Sequence, residues 1–175
     1  MNEDTISSEI QVISENNVRE YVFERFEDVK NSNKIKNLVS FQAMNKYMIM
    51  AHDQVELKIL GNIVASNKKN QLSSILEEYD RHLRKSFQSE PTVKKHSNVI
   101  MHIFGYFSNN FSQQEKERFF ELLNKFKGEE ITIGEILSEI NPIIYRFNNT
   151  YLASQTYFLL YSNPQPGNLF KALSG

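Results

Sequence analysis

The 175-residue sequence contains no cysteine. This absence excludes a disulfide framework, a zinc site with cysteine ligands, a cysteine nucleophile and an iron–sulfur cluster held by this chain alone. It also suits a reducing compartment, so we expect a cytoplasmic protein. The four histidines form no HExxH motif or other close ligand pair. We therefore expect neither a metal nor a cofactor, although ligands from separate helices remain an alternative.

Glycine and proline are scarce, with 6 and 4 residues, which disfavours a β-sandwich with many turns. Hydrophobic residues make up 40% of the chain and include 13 Phe and 8 Tyr, enough to build a core. No segment reaches the roughly 18 consecutive apolar residues of a membrane span. The acidic first residues also lack the apolar centre of a signal peptide. We expect an all-α domain with no membrane partner.

Apolar residues recur at helical spacing along most of the chain, which predicts a single irregular bundle of about six to seven helices. A long helix over residues 35–65 is apolar on two sides, as is typical of the central helix of a bundle. The other predicted helices cover approximately residues 8–28, 72–87, 92–110, 113–127 and 133–141, with a last one beginning near residue 149.

Local signals mark several helix ends. Ser112 with Glu115, and Thr132 with Glu135, have the spacing of capping boxes. Pro142 lies inside a helical pattern and predicts a kink or an end nearby. The polar run at residues 31–33 predicts a break. We place a domain boundary there, with residues 1–33 as a helical extension and residues 34–175 as the body.

Charge is distributed unevenly along the chain. Residues 1–30 hold eight acidic and three basic residues, which gives −5. Residues 31–110 hold six acidic and eleven basic residues, which gives +5, and the remainder gives −1. A net charge of −1 argues against a general nucleic-acid binder. The mildly basic middle leaves local anion binding open, and ordinary solvated helix faces are the alternative.

The segment from Thr92 to Ser108 carries the strongest binding pattern. Four polar residues align along its predicted helix, namely Lys95, Asn98, His102 and Tyr106. Together with Lys94, this stripe offers hydrogen bonds to an anion or a base edge. The alternative is a boundary stripe whose polar groups bond to neighbouring helices.

Polar residues also interrupt the apolar stripe of the predicted 35–65 helix. Asn45 and His52 either bond to neighbouring groups inside the protein or face a pocket, since an unpaired buried polar group is costly. Aromatic rings can stack on bases, and we select Tyr47, Tyr106 and Tyr151 as candidates, with core packing as the alternative.

Short motifs run through most of the chain, and the run from His96 to Phe107 is the most specific. The others are Arg19-Glu20-Tyr21, Glu24-Arg25-Phe26, Phe41, Lys46-Tyr47, Met50-Ala51-His52, Leu60-Gly61, Pro91-Thr92, Glu115-Lys116, Tyr151-Leu152, Gln155 and Tyr157. In these motifs, residues 18–166 resemble the YbgA-like family of bacterial and archaeal domains of unknown function. The sequence departs from the family pattern at Gln42, Lys127 and Thr132.

This resemblance implies a role linked to RNA. The family is often fused behind a cysteine-dependent desulfidase-like domain linked to thiolated uracil, including thiolated uridine in tRNA. The YbgA-like part would then supply substrate binding. Because this chain has no cysteine, the desulfidase reaction does not carry over. The match at residues 19–26 is similar to the junction segment of the fused proteins.

We therefore expect a non-catalytic tRNA-binding or accessory module, with RNA and a separate desulfidase-like protein as partners. The candidate binding residues are Lys94, Lys95, Asn98, His102, Tyr106, Asn45, Lys46 and His52. One alternative is a structural or protein-interaction domain, which a large apolar patch on the first helix would favour. Another is an enzyme acting on a small molecule or nucleotide through His52 and His102, which would require these side chains to share a pocket.

Overall fold

The computed structural model describes residues 13–147 and 150–163, and this part of the chain contains helices and no strand. The helices are α1 (Glu15–Ser32), α2 (Ile35–His52), α3 (Gln54–Ala65), α4 (Leu72–Ser86), α5 (Val93–Phe107), α6 (Gln113–Lys127), α7 (Ile133–Arg146), α8 (Thr150–Ala153) and α9 (Thr156–Tyr161). A short 3₁₀ helix, Ser108–Asn110, follows α5. The all-α prediction is confirmed.

The predicted 35–65 helix is wrong as a single element, because Asp53 divides it into α2 and α3. Asp53 has an extended backbone, and its side chain accepts a hydrogen bond of 3.0 Å from the Glu56 amide. An aspartate three residues before a glutamate is a helix-start signal, and it competes here with the continuous apolar pattern. The break lets α3 turn away from α2 and pack against both α2 and α4.

The α2 helix lies against α1, α3, α4, α5 and α9. This position explains why it is apolar on more than one side, since several neighbours cover its surface. Residues 47–52 are all buried, and Tyr47 and His52 are among them. The α2 helix thereby connects the N-terminal and C-terminal parts of the described chain.

The α1 helix packs directly onto this body. Val18, Val22 and Phe26 are fully buried, and the Phe26 ring lies 5.5 Å from the Phe41 ring on α2 and 5.3 Å from the Tyr79 ring on α4. Asn33, which ends α1, adopts a left-handed conformation with φ 51°. The predicted break at residues 31–33 is confirmed. The proposed domain boundary there stays a prediction. Residues 8–12 of the predicted first helix lie outside the described chain.

The capping predictions differ in outcome. Ser112 accepts a bond of 3.1 Å from the Glu115 amide, and Glu115 accepts one of 3.2 Å from the Ser112 amide, which completes the first capping box. At α7, Thr132 accepts from the Glu135 amide at 3.2 Å, but Glu135 bonds the Thr132 hydroxyl instead of the backbone. Only half of the second box therefore forms.

Of the kink or end predicted near Pro142, the end does not occur, because α7 continues to Arg146, and the kink stays a prediction. Ile143 and Ile144, just beyond the proline, are both buried. Their burial offsets the backbone hydrogen bond that proline cannot make. The predicted last helix is instead two short helices, α8 and α9, separated at Gln155.

Candidate functional site

The α5 helix separates a buried face from an exposed one. Thr92 begins it by accepting a hydrogen bond of 3.2 Å from the Lys95 amide. Its apolar residues face the core, and those that are buried are Val99, Ile100, Ile103 and Phe107. On the other side Lys94, His102 and Tyr106 are exposed. Side chains at intervals of three and four residues align on this outer face and follow the helix axis.

An open groove of about 550 Å³ runs along the first half of this face. It is lined by Val93, Lys94, Ser97, Asn98 and Met101 of α5 and by Lys127 at the end of α6. The two lysines are exposed, come from different helices and meet at one surface. The sequence pattern gave no indication that Lys127 would lie beside α5, because Lys127 belongs to a different helix.

Neighbouring polar residues of α5 are engaged in structural contacts. Lys95 Nζ donates to the carbonyl oxygens of His52 at 2.9 Å and Glu90 at 3.0 Å, so it caps the end of α2. Asn98 Nδ2 donates at 3.1 Å to Oε1 of Gln54, which is the first residue of α3. Lys95 and Asn98 of the predicted polar stripe therefore hold helices together, whereas the neighbouring Lys94 lines the groove.

Three tyrosines meet beyond the groove. Tyr106 is 46% exposed, and its ring centroid lies 6.1 Å from that of Tyr151. The Tyr47 side chain beneath them is buried and interacts with Tyr106 through its hydroxyl group. Burial, together with these tyrosine neighbours, raises the pKa of Tyr47 and of Tyr151 above the usual value. Lys46 Nζ lies 6.0 Å from the centroid of the Tyr47 ring.

His52 lies in a different environment, inside a buried polar cluster. Its ring Nδ1 is 2.9 Å from the Met48 carbonyl oxygen and its Nε2 is 3.2 Å from Glu15 Oε2. The carbonyl and the carboxylate are both hydrogen-bond acceptors, so each ring nitrogen of His52 faces an acceptor. The Phe87 ring packs against His52 with centroids 4.2 Å apart.

Tyr161 completes the contacts of Glu15. Its hydroxyl lies 2.8 Å and 2.9 Å from the two carboxylate oxygens. Burial opposes ionisation of Glu15, but the bonds from His52 and Tyr161 outweigh it, and the pKa of Glu15 is lowered. Burial and the nearby carboxylate raise the pKa of Tyr161. Glu15 therefore accepts as a carboxylate, and its contacts with His52 and Tyr161 join α1, α2 and α9.

His96 and Tyr157 form the other half of this cluster. His96 Nδ1 lies 2.6 Å from the Tyr157 hydroxyl, and the His96 ring also contacts the Tyr161 ring at 5.2 Å between centroids. Burial, the largest cause, lowers the pKa of His96 to about 4, so its imidazole is neutral at neutral pH. Burial raises the pKa of Tyr157 well above the usual value. We call Glu15, His52, His96, Tyr157 and Tyr161 the buried polar cluster.

The sequence-predicted residues thus fall into separate environments. His52 is 2% exposed, whereas Asn98 and His102 face outwards on α5, so the three do not share a pocket. Asn45 is buried and donates to the Phe41 carbonyl oxygen at 3.0 Å. For Asn45 and His52 the internal-bonding alternative describes the observed contacts. Lys46 lies near the three tyrosines, as described above.

Two polar groupings had no sequence signal. The contact between Glu15 and His52 joins residues 37 positions apart. Glu56 is buried, with His82 Nδ1 at 2.7 Å and Lys85 Nζ at 3.2 Å from its carboxylate oxygens. A helical pattern shows only that these residues are polar. Within the described residues, no group of three or more His, Asp or Glu side chains could hold a metal ion.

Comparison with known proteins identifies the family. Residues 46–162 match the model of the family described as "Protein of unknown function (DUF1722)". The chain belongs to this family. It is also 24% identical over 125 residues to the "Uncharacterized protein YbgA" of Escherichia coli (strain K12), an alignment that covers 71% of this chain and 74% of that protein. No solved structure matches.

The family match covers the groove on α5 and all of the buried polar cluster except Glu15. It includes His52 and His96 of the buried polar cluster and the whole α5 face. The YbgA-like resemblance of the sequence is confirmed. In the part of the chain that the structure describes, every helix is too short or too polar to cross a bilayer.

Proposed function

We propose that this YbgA-like domain is a non-catalytic RNA-binding or accessory module that contacts its ligand through the α5 face. The observation that supports it is the groove in which Lys94 of α5 and Lys127 of α6 converge. Lysine side chains neutralise phosphates and thereby supply most of the sequence-independent affinity for nucleic acid. Two free ammonium groups at one groove can contact adjacent phosphates of one strand.

Other groups on the same face suit this ligand. The groove begins at the N-terminus of α5, where backbone amides and the helix dipole favour an anion. Asn98 and His102 follow along the helix and offer hydrogen-bonding groups. The net charge of −1 gives no strong long-range attraction, so we expect modest, local and salt-sensitive binding.

The choice of tRNA comes from the family resemblance. The resemblance implies a link to thiolated uridine in tRNA through a desulfidase-like domain fused to some relatives, so tRNA is the first RNA to test. A separate desulfidase-like protein is the corresponding partner for a chain that lacks that domain's cysteines. A cysteine-free chain also suits the reducing cytoplasm, where such a partner and tRNA would meet it.

The test measures binding of unmodified and thiolated tRNA at low and moderate salt by filter retention. We expect Lys94→Ala/Lys127→Ala to lower affinity roughly 3- to 10-fold at low salt and to reduce the salt dependence, since two phosphate contacts are lost. The matched control is Lys68→Ala/Lys69→Ala, which removes the same charge from exposed positions in the loop between α3 and α4. Equal weakening by both double variants, or no retention of the wild type at low salt, overturns the proposal.

The alternatives receive less support from the described contacts. A two-histidine active site would need His52 and His102 in one pocket, and His52 is buried against Glu15 and Phe87. The protein-interaction alternative would be favoured by exposed apolar residues on α1. The large hydrophobic side chains that are exposed in the described chain are Val39, Met44, Val55, Met101, Tyr106, Phe120, Tyr145 and Leu159, and none of them belongs to α1.

A further inference from the structure

The exposed face of α5 continues beyond the lysine groove to Gly105 and Tyr106. Lys94, Asn98, Met101 and Gly105 are spaced by three and four residues, so they form one line along the helix. Tyr106 follows Gly105 and points about 100° further round the helix, at the edge of the same exposed arc, beside α2 and α8. Along the helix axis it lies twelve residues from Lys94, which corresponds to about 18 Å. A ligand in the groove reaches the tyrosine by crossing this exposed arc diagonally.

Gly105 has no packing role that explains its presence inside a helix. A Cβ atom built there would meet nothing within 4 Å, so no neighbouring helix requires the glycine. Glycine in a helix interior destabilises it relative to alanine. The open space at Gly105, one residue before Tyr106, instead allows the backbone of α5 to be approached closely.

The Tyr106 ring is exposed yet held in place by a rigid support. Its neighbour Tyr151 lies on α8 and interacts with both Tyr106 and Gln155. Gln155 is 1% exposed; its Nε2 donates to the Ala43 carbonyl oxygen at 2.7 Å, and its Oε1 accepts from the Tyr47 amide at 3.4 Å. These bonds fasten the start of α9 to the middle of α2. A tyrosine ring fixed in this way offers a flat contact surface at low entropic cost.

We propose that Tyr106, supported by Tyr151, stacks on an unpaired base of the RNA strand whose phosphates contact the groove. The inference rests on the proposed function and specifies its ligand, which must be single-stranded at this point. A base inside a duplex has no free face to offer the ring, whereas a loop or single strand does. Lys94 and Lys127 at the groove, with Lys46 next to Tyr47, match the phosphates of such a strand.

The experiment compares a labelled single-stranded RNA oligonucleotide with a blunt RNA duplex of the same sequence by fluorescence anisotropy. We expect Tyr106→Ala to weaken single-strand binding roughly 5- to 100-fold, the range of one base–aromatic stack, and to change duplex binding less than about 2-fold. Tyr106→Phe keeps the ring and should bind as the wild type does. Tyr145→Ala removes a tyrosine that is 75% exposed on α7 and serves as the matched control.

Two further measurements keep the proposal falsifiable. A 2-aminopurine base placed at successive positions of the single strand should lose fluorescence at one of them on binding, and Tyr106→Ala should restore it. Gly105→Leu fills the open surface and should weaken single-strand binding while Tyr106 is intact. If Tyr106→Ala weakens single strand and duplex equally, or leaves both unchanged while Lys94→Ala/Lys127→Ala still weakens them, stacking is wrong and groove binding survives. If the wild type binds neither RNA, both proposals fail.

Discussion

Two histidines of this molecule, His102 and His52, lie in opposite environments. His102 on α5 is exposed beside Tyr106, whereas His52 on α2 is buried, bonded to Glu15 and packed on Phe87. Both lie within residues 46–162, which match the family model. The difference separates a surface that is free to bind from a cluster whose polar groups are already satisfied by other helices.

Lys94 and Lys95 show the same contrast within a single turn of α5. Lys95 Nζ donates to two backbone carbonyl groups, and Lys94 lines the groove. A motif residue is therefore not a ligand-binding residue by type alone. What its side chain contacts decides whether its loss affects stability or binding, and the following predictions test this division.

Removal of α1 should have the largest effect. Deleting residues 1–33 uncovers the surface that Val18, Val22 and Phe26 cover and takes Glu15 from His52, so we expect loss of the cooperative thermal transition followed by circular dichroism. Deleting only residues 1–12 leaves every described contact intact and is the control. A 34–175 chain that melts cooperatively would instead support the predicted domain boundary.

His52 and His102 should differ in their contribution to stability. His52→Ala removes the hydrogen bond with Glu15 and the contact with Phe87, and should lower the free energy of unfolding by about 2–4 kcal/mol. His102→Ala should stay within about 0.5 kcal/mol, as is usual for an exposed position. Urea unfolding of both variants provides the measurement. Equal losses would show that burial does not distinguish these two histidines.

The buried polar cluster should also make stability depend on pH. The pKa of His96 is lowered to about 4 in the folded protein, below the usual 6.5, so the unfolded chain binds an additional proton between these values. The contribution is complete above pH 6.5 and is lost as pH falls towards 4. Between pH 7 and pH 5 this amounts to about 2 kcal/mol.

His96→Gln cannot take up that proton, so its unfolding free energy should vary less over the same range in urea titrations at each pH. The lowered pKa of Glu15 acts in the same direction at lower pH, because its contribution disappears as the carboxylate is protonated. His102→Gln is the exposed control and should retain the wild-type pH profile. An unchanged profile in His96→Gln would contradict a buried, neutral His96.

Much of the helical pattern could be predicted because its signals are local. The capping box at Ser112 and the break at Asn33 depend on residues within one turn. The errors occurred where a local signal competed with a distant one. Asp53 capped α3 against a continuous apolar pattern, and the burial of Ile143 and Ile144 carried α7 past Pro142.

The candidate site was predicted only in part. The spacing on α5 identified Lys95, Asn98, His102 and Tyr106 as one polar stripe, of which His102 and Tyr106 are exposed and Lys95 is bonded to two carbonyl groups. The same spacing could not distinguish Lys94 from Lys95, nor find Lys127, which reaches the groove from another helix. Helix periodicity gives the relative direction of side chains within a helix but not the identity of its neighbours.

The sequence by itself determined the all-α class, most helix ends, the YbgA-like family and the polar stripe of α5, because these depend on neighbouring residues or on shared motifs. Only the tertiary structure decided which polar residues are satisfied internally. It brought Glu15 to His52, His96 to Tyr157, and Tyr151 to Tyr106. The partners in each pair lie tens of residues apart, and their contact depends on how the helices pack and rotate. Burial then makes each unpaired polar group costly, which fixes these pairings.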